Sequence, residues 1–285
     1  MKKVGVTGAG YWVRNLARNL NALDALAAFC DPNEGTRKSI REQYPDARQY
    51  EKVSELFADS SIDAVAIAVP ALTHGSLVRE AIRAEKDVFV EKPLCLDLHE
   101  AKELKQSADE AGLVLIVGHL LLYHPAFTSL QTAVRQGLIG KRRYIYSTRL
   151  SLGKIRREEN ALWSFAPNDI TMILALTEQM PVEIVANGTA YLSQGVADTT
   201  LSHFTFSENL QAHIFVSWLH PFKDRRMIVV GSEGMIVLDD VRDGAEKLMH
   251  YLQSYFQKRS SRSHRAEGNF VIHRRKKSLG VGSDG

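Results

Sequence analysis

Along the first 120 positions, apolar residues gather in short runs: Val4–Val6, Leu26–Cys30, Ile62–Val69, Asp87–Val90 and Leu113–Gly118. As a set these lack the period-two alternation of a half-exposed strand, which predicts strands covered on both faces. The stretches between them, near Tyr11–Leu23, Glu34–Gln43, His74–Ala84 and Asp97–Ala111, carry helical spacing. Strand and helix in alternation predict a doubly wound α/β fold with a parallel sheet.

The rhythm changes after His119. Pro125–Gln136 reads as a helix with Phe127, Leu130 and Val134 on one face. Strands follow at Arg143–Leu150, Val182–Leu192, Asp198–Phe206, Leu210–Trp218 and through Met227–Leu238, with one helix near Asp169–Glu178. Turn residues at Asn209 and Ser232-Glu233-Gly234 suit hairpins, which predicts an α+β domain with an open, mainly antiparallel sheet. No internal repeat is visible.

Charge alters this picture in one place. Of 36 Lys and Arg and 33 Asp and Glu, nine and two respectively fall between Lys247 and Gly285. The remaining 27 bases and 31 acids leave a mildly acidic body and a basic, Ser-rich tail expected to be disordered. No basic face or module in the body points to nucleic acid. Apolar runs are too short for a membrane span, and no signal peptide opens the chain. Cys30 and Cys95 form no disulfide framework and no metal pattern, so the cytoplasm is the expected compartment and no metal is expected.

Gly8-Ala9-Gly10 follows a strand and opens a helix. Glycines there give a tight turn whose N–H groups can reach a pyrophosphate at the positive end of the helix dipole. Tyr11 and Trp12 begin that helix. Asp31 closes the second strand, where a carboxylate can accept from both adenosine ribose hydroxyls and repels a 2′-phosphate. NAD is therefore expected over NADP. The pattern's third glycine would fall at Val13, whose side chain is expected to crowd the helix–strand contact or the phosphate.

Ala68-Val69-Pro70-Ala71-Leu72-Thr73-His74 and Val88-Phe89-Val90-Glu91-Lys92-Pro93-Leu94, taken with the glycine turn, resemble the Gfo/Idh/MocA family over about residues 3–240. Glu-Lys-Pro after an apolar strand is that family's most specific signature. Val117-Gly118-His119, Tyr123-His124-Pro125, Gly137-Leu138-Ile139-Gly140 and Leu162-Trp163-Ser164-Phe165-Ala166-Pro167 are most similar to its branch oxidising C3 of UDP-N-acetylglucosamine or its uronic acid. The resemblance implies a Rossmann domain at 1–120, a substrate-binding and oligomerisation domain at 121–246 and a tail at 247–285. It also implies an NAD(P)-dependent sugar dehydrogenase acting on CH–OH, assembled as a homodimer or homotetramer through the outer face of its open sheet.

Hydride removal from a secondary alcohol needs a group that takes the hydroxyl proton. Lys92 is the candidate base or relay, and partial burial would draw its pKa toward neutrality. The family commonly makes the bond before Pro93 cis, which would aim Lys92 inward. Pro70, Thr73, His74 and Glu91 are expected near the cofactor. The family's second catalytic position is a histidine at the start of the helix after the substrate loop; here Asn168 stands there, and an amide cannot accept a proton. Asp169, His119 or water would then complete the relay, or turnover is weak. Tyr123, His124, Arg156, Arg157 and Trp163 are the further substrate candidates, the arginines for a diphosphate. Val13, Asn168 and the tail together fit a truncated or frame-shifted member. The alternatives are a dehydrogenase for a free sugar or inositol, a cofactor-binding protein without turnover, and, remotely, nucleic-acid binding through the tail.

Overall fold

The computed structural model describes residues 1–8, 11–152, 155, 159–252 and 275–279. The chain forms two compact units, Met1–His119 and Leu120–Gly285.

In the first unit β1 (Val4–Thr7), α1 (Tyr11–Ala22), β2 (Leu26–Cys30), α2 (Glu34–Gln43), β3 (Arg48–Tyr50), α3 (Val53–Ala58), β4 (Ala64–Ile67), α4 (His74–Arg83), β5 (Asp87–Val90), α5 (Leu98–Glu110) and β6 (Leu115–Val117) follow in turn. The six strands are parallel in the order β3-β2-β1-β4-β5-β6. Both faces are covered, as the apolar runs predict. Val6, Phe29 and Ala66 point to one core cluster with Val13 and Ile40, while Ala28, Cys30, Val65 and Ile67 point to another with Val78, Ala81 and Leu104. Asn33 and Asp97 cap α2 and α5 by accepting from the N–H groups of Thr36 and Glu100. The chain runs from β1 outward to β2 on one side and continues with β4 on the other, so a switch point lies at the carboxyl ends of β1 and β4.

The second unit contains α6 (Pro125–Arg135), β7 (Arg142–Leu150), α7 (Ala161–Thr177), β8 (Glu183–Thr189), β9 (Thr199–Thr205), β10 (Gln211–Ser217), β11 (Asp224–Gly231), β12 (Gly234–Asp239), β13 (Leu248–Leu252) and β14 (Arg275–Ser278). Its eight-stranded sheet has the order β14-β13-β12-β11-β7-β10-β9-β8, antiparallel except where β10 runs parallel to β7. Period-two alternation sends Ile145, Ile214, Val216, Met227, Val229 and Ile236 into one core with Phe127, Leu130, Met172 and Ile173 from the helices. The other face carries Tyr144, Tyr146 and His213, whose rings stack with Tyr146 and His213 centroids 5.2 Å apart. Trp218 is fully buried, and its indole donates to Asp198 Oδ1 at 2.6 Å.

Two expectations are corrected. The helix predicted near Asp169–Glu178 begins eight residues earlier, at Ala161, because Asn160 caps it by accepting from the Trp163 N–H. The segment Leu162–Pro167 is thus helical, with Pro167 inside α7. The tail expected to be disordered supplies two strands. Leu248-Met249-His250-Tyr251-Leu252 is an apolar run that pairs with β12 and buries Leu248 and Met249. β14 then pairs with β13, and a strand rich in bases is a natural terminator for a sheet edge. Among the described residues, no helix is long and apolar enough to cross a membrane.

Candidate functional site

Gly8 follows β1 at φ +117°, and a Cβ there would sit 2.3 Å from the Ala68 carbonyl oxygen. Only glycine lets the chain pass this close to the end of β4. Gly10 lies outside the described residues; Tyr11 is the first residue of α1. Val13 is 1% exposed and packs with Val6, Phe29, Ala66 and Ala68. Its side chain fills the helix–strand contact and faces the core, so the crowding expected of the phosphate does not arise from it.

Asp31 closes β2 and is 4% exposed. Its Oδ1 accepts from the Asn33 N–H at 2.8 Å, and its backbone carbonyl accepts from the Arg37 guanidinium at 2.7 Å. A buried carboxylate at this strand end, beside a turn that only glycine can make, fits the adenosine half of a dinucleotide.

The loops after β4, β5 and β6 gather the remaining candidates of this unit. Pro70 and Thr73 are exposed, with the Thr73 hydroxyl donating to the Pro70 carbonyl. His74 is 1% exposed. Its Nδ1 lies 2.6 Å from the Pro93 carbonyl oxygen and its Nε2 2.9 Å from that of Val69. With a backbone carbonyl facing each ring nitrogen, His74 braces the two loops. Lys92 is half-buried, and the Lys92–Pro93 peptide is cis, as expected.

Glu91 is half-buried beside it. Burial pushes its carboxyl above the ordinary value, against the Trp12 indole and Lys92 backbone N–H donors and the charges of Lys92 and His74. Its Oε1 is buried without a hydrogen-bond partner. Burial, and then the charge of Lys92, hold the His119 ring below the usual histidine value.

In the second unit Asp169 is 1% exposed and both its oxygens are engaged. Oδ2 accepts from Arg149 Nε at 2.6 Å, and Oδ1 accepts from the Ser147 hydroxyl at 2.6 Å. The carboxylate fastens α7 to β7. Asn168 precedes it and is half-buried. His124 caps α6, its Nδ1 accepting from the Ala126 N–H, while Tyr123 and Trp163 are exposed. Arg156 and Arg157 lie outside the described residues. The Arg149–Asp169 pair itself went unforeseen; alternate polar residues Ser147 and Arg149 on the inward face of β7 were its only sequence signal.

Residues 2–119 match the oxidoreductase family with an NAD-binding Rossmann fold, and residues 127–237 match the GFO/IDH/MocA C-terminal domain. A curated relative, the UDP-N-acetylglucosamine 3-dehydrogenase of Acidithiobacillus ferrooxidans, is 30% identical over 79% of this chain and 70% of its own length. The chain belongs to the Gfo/Idh/MocA family. It is an NAD-binding oxidoreductase by that membership, and its first unit is the family's Rossmann domain. The myo-inositol 2-dehydrogenase of Thermotoga maritima is 28% identical over 85% of this chain and 76% of its own. A solved structure of the Acidithiobacillus ferrooxidans 3-dehydrogenase superposes with a TM-score of 0.81 at 26% identity, covering 99% of this chain and 84% of that one.

Proposed function

We propose that this chain oxidises a secondary hydroxyl, at C3, of a nucleotide sugar such as UDP-N-acetylglucosamine, with NAD as acceptor. The observation that carries the reading is Lys92: a half-buried amine between Glu91 and a cis proline, on the strand-end loops that also bear the glycine turn. Similarity to the UDP-N-acetylglucosamine 3-dehydrogenase supports the substrate class.

The Gly8 turn and Asp31 would hold NAD, Asp31 at its ribose, and the cofactor would supply the acceptor for the hydride. The protein's task is the proton. Lys92 takes it from the hydroxyl as the C–H bond breaks. Tyr123, His124, Arg156, Arg157, Trp163 and Asn168 remain proposed sugar and diphosphate contacts, with the family pattern as their support. Asn168 holds a hydroxyl without accepting a proton, so turnover below that of histidine-bearing relatives is part of the reading.

The test is production of NADH with UDP-N-acetylglucosamine, its uronic acid, free glucose and myo-inositol, with identification of the keto product. Lys92→Ala should lower kcat at least about 100-fold and leave NAD affinity within a few-fold. Unchanged turnover removes the mechanism. The inositol dehydrogenase similarity supports a second reading, oxidation of a free polyol, which a product from myo-inositol and none from nucleotide sugars would favour. The aromatic outer face of the open sheet supports a homodimer or homotetramer.

A further inference from the structure

The residue at the family's second proton-handling position is Asn168, whose amide cannot take a proton, so a reaction begun at Lys92 needs another place for the proton to rest. The parallel pairing of β5 with β6 aligns Val90 with Val117. The ladder runs one bond further, Gly118 N–H donating to the Val90 carbonyl at 2.7 Å. There Glu91 lies so close to Gly118 that a Cβ on the glycine would be 3.2 Å from Glu91 Oε1. The next residue on each chain is Lys92 on one side and His119 on the other.

His119 Nδ1 is buried and has no hydrogen-bond partner. A buried ring nitrogen left unmatched is disfavoured and calls for an explanation. The ring favours its neutral form, being partly buried beside a cation, and is therefore ready to accept.

We propose that His119 is the proton acceptor of the reaction, reached through Lys92, in the role that Asn168 cannot perform. With oxidised NAD bound, the C–H bond would break with its electron pair leaving as hydride to that cofactor, while the O–H bond breaks and C=O forms. The hydroxyl proton would pass to Lys92 as the lysine hands one of its own, across one water, to His119. The amine ends with the charge it began with, and the ring later loses its proton to water. Lys92 is the charged group acting on this ring, and it is the one that transfers to it.

This inference rests on the dehydrogenase reading, and the experiment separates the two. In full-length protein that oxidises its sugar, His119→Gln should lower kcat about 100-fold with little change in KM or in NAD affinity by calorimetry. The wild-type kcat should fall at acid pH as the ring protonates, and that limb should vanish in the variant. Should His119→Gln misfold, His119→Gly with and without added imidazole replaces it, and rescue by imidazole is expected. Wild-type kcat and an unchanged acid limb in a folded variant, or no rescue of an impaired His119→Gly, would overturn the role of His119 while leaving the dehydrogenase reading intact. Absence of turnover in the wild type with every sugar and polyol would overturn both.

Discussion

At the scale of single residues, two carboxylates show how different surroundings direct the same group. Asp31 sits at a strand end beside Gly8, and Asp31→Ala should weaken NAD binding by at least about tenfold while leaving the fold intact, the loss of charge-assisted bonds worth about 1.5–3 kcal/mol. Calorimetry checks this, and wild-type protein that binds NADP equally well would refute the ribose assignment. Asp198 is structural. Burial pushes its carboxyl up, but hydrogen bonds from the Leu192 N–H, the Trp218 indole and the Tyr191 N–H outweigh this and hold it below the ordinary value. A folded-state value below the unfolded one contributes stability above the unfolded pKa of about 4, and that stability is lost as pH falls through the folded value. Thermal melts should show this acid-side loss in wild type and a smaller one in Asp198→Asn, which should already be weaker at neutral pH by about 1–3 kcal/mol.

Among the elements, α7 shows where the sequence was readable and where it was not. Leu26–Cys30, Glu34–Gln43 and Asp87–Val90 fall where their patterns place them, because each is a run of one character with a clear stop. The start of α7 was hidden by Pro167, which reads as a boundary although the helix passes through it, and the cap at Asn160 lies beyond that misleading signal. β3 and α3 were missed because three and six residues are too few to display a period. The dinucleotide-binding class of the first unit was legible because glycine spacing and a strand-end acid are local facts. The state of Asp169 was not, since its partners lie 20 and 22 residues away. Because α7 is held to β7 by that buried pair, Asp169→Leu should cost about 3–5 kcal/mol by stranding the Arg149 charge, whereas Asp169→Leu with Arg149→Met should be markedly milder. Denaturant melts of the two variants measure this; equal losses would mean that the pair carries no such coupling.

For the whole molecule, the uneven charge drew attention away from an apolar run. The basic tail was treated as one solvated stretch, yet Leu248–Leu252 and Arg275–Ser278 complete the edge of the eight-stranded sheet. That sheet keeps one aromatic face clear of its own helices, and self-association there is the expected use. Tyr146→Glu should reduce the mass measured by light scattering to that of a monomer without loss of NAD binding; a wild-type monomer at micromolar concentration would rule the assembly out. Inside the first unit a smaller linkage has a longer reach. The ring of His74 grips the backbone on both sides of the site, at Val69 beside the glycine turn and at Pro93 beside the amine. Those two loops therefore move as one mechanical part, and laboratory selection for a different dinucleotide would drag the lysine along with it.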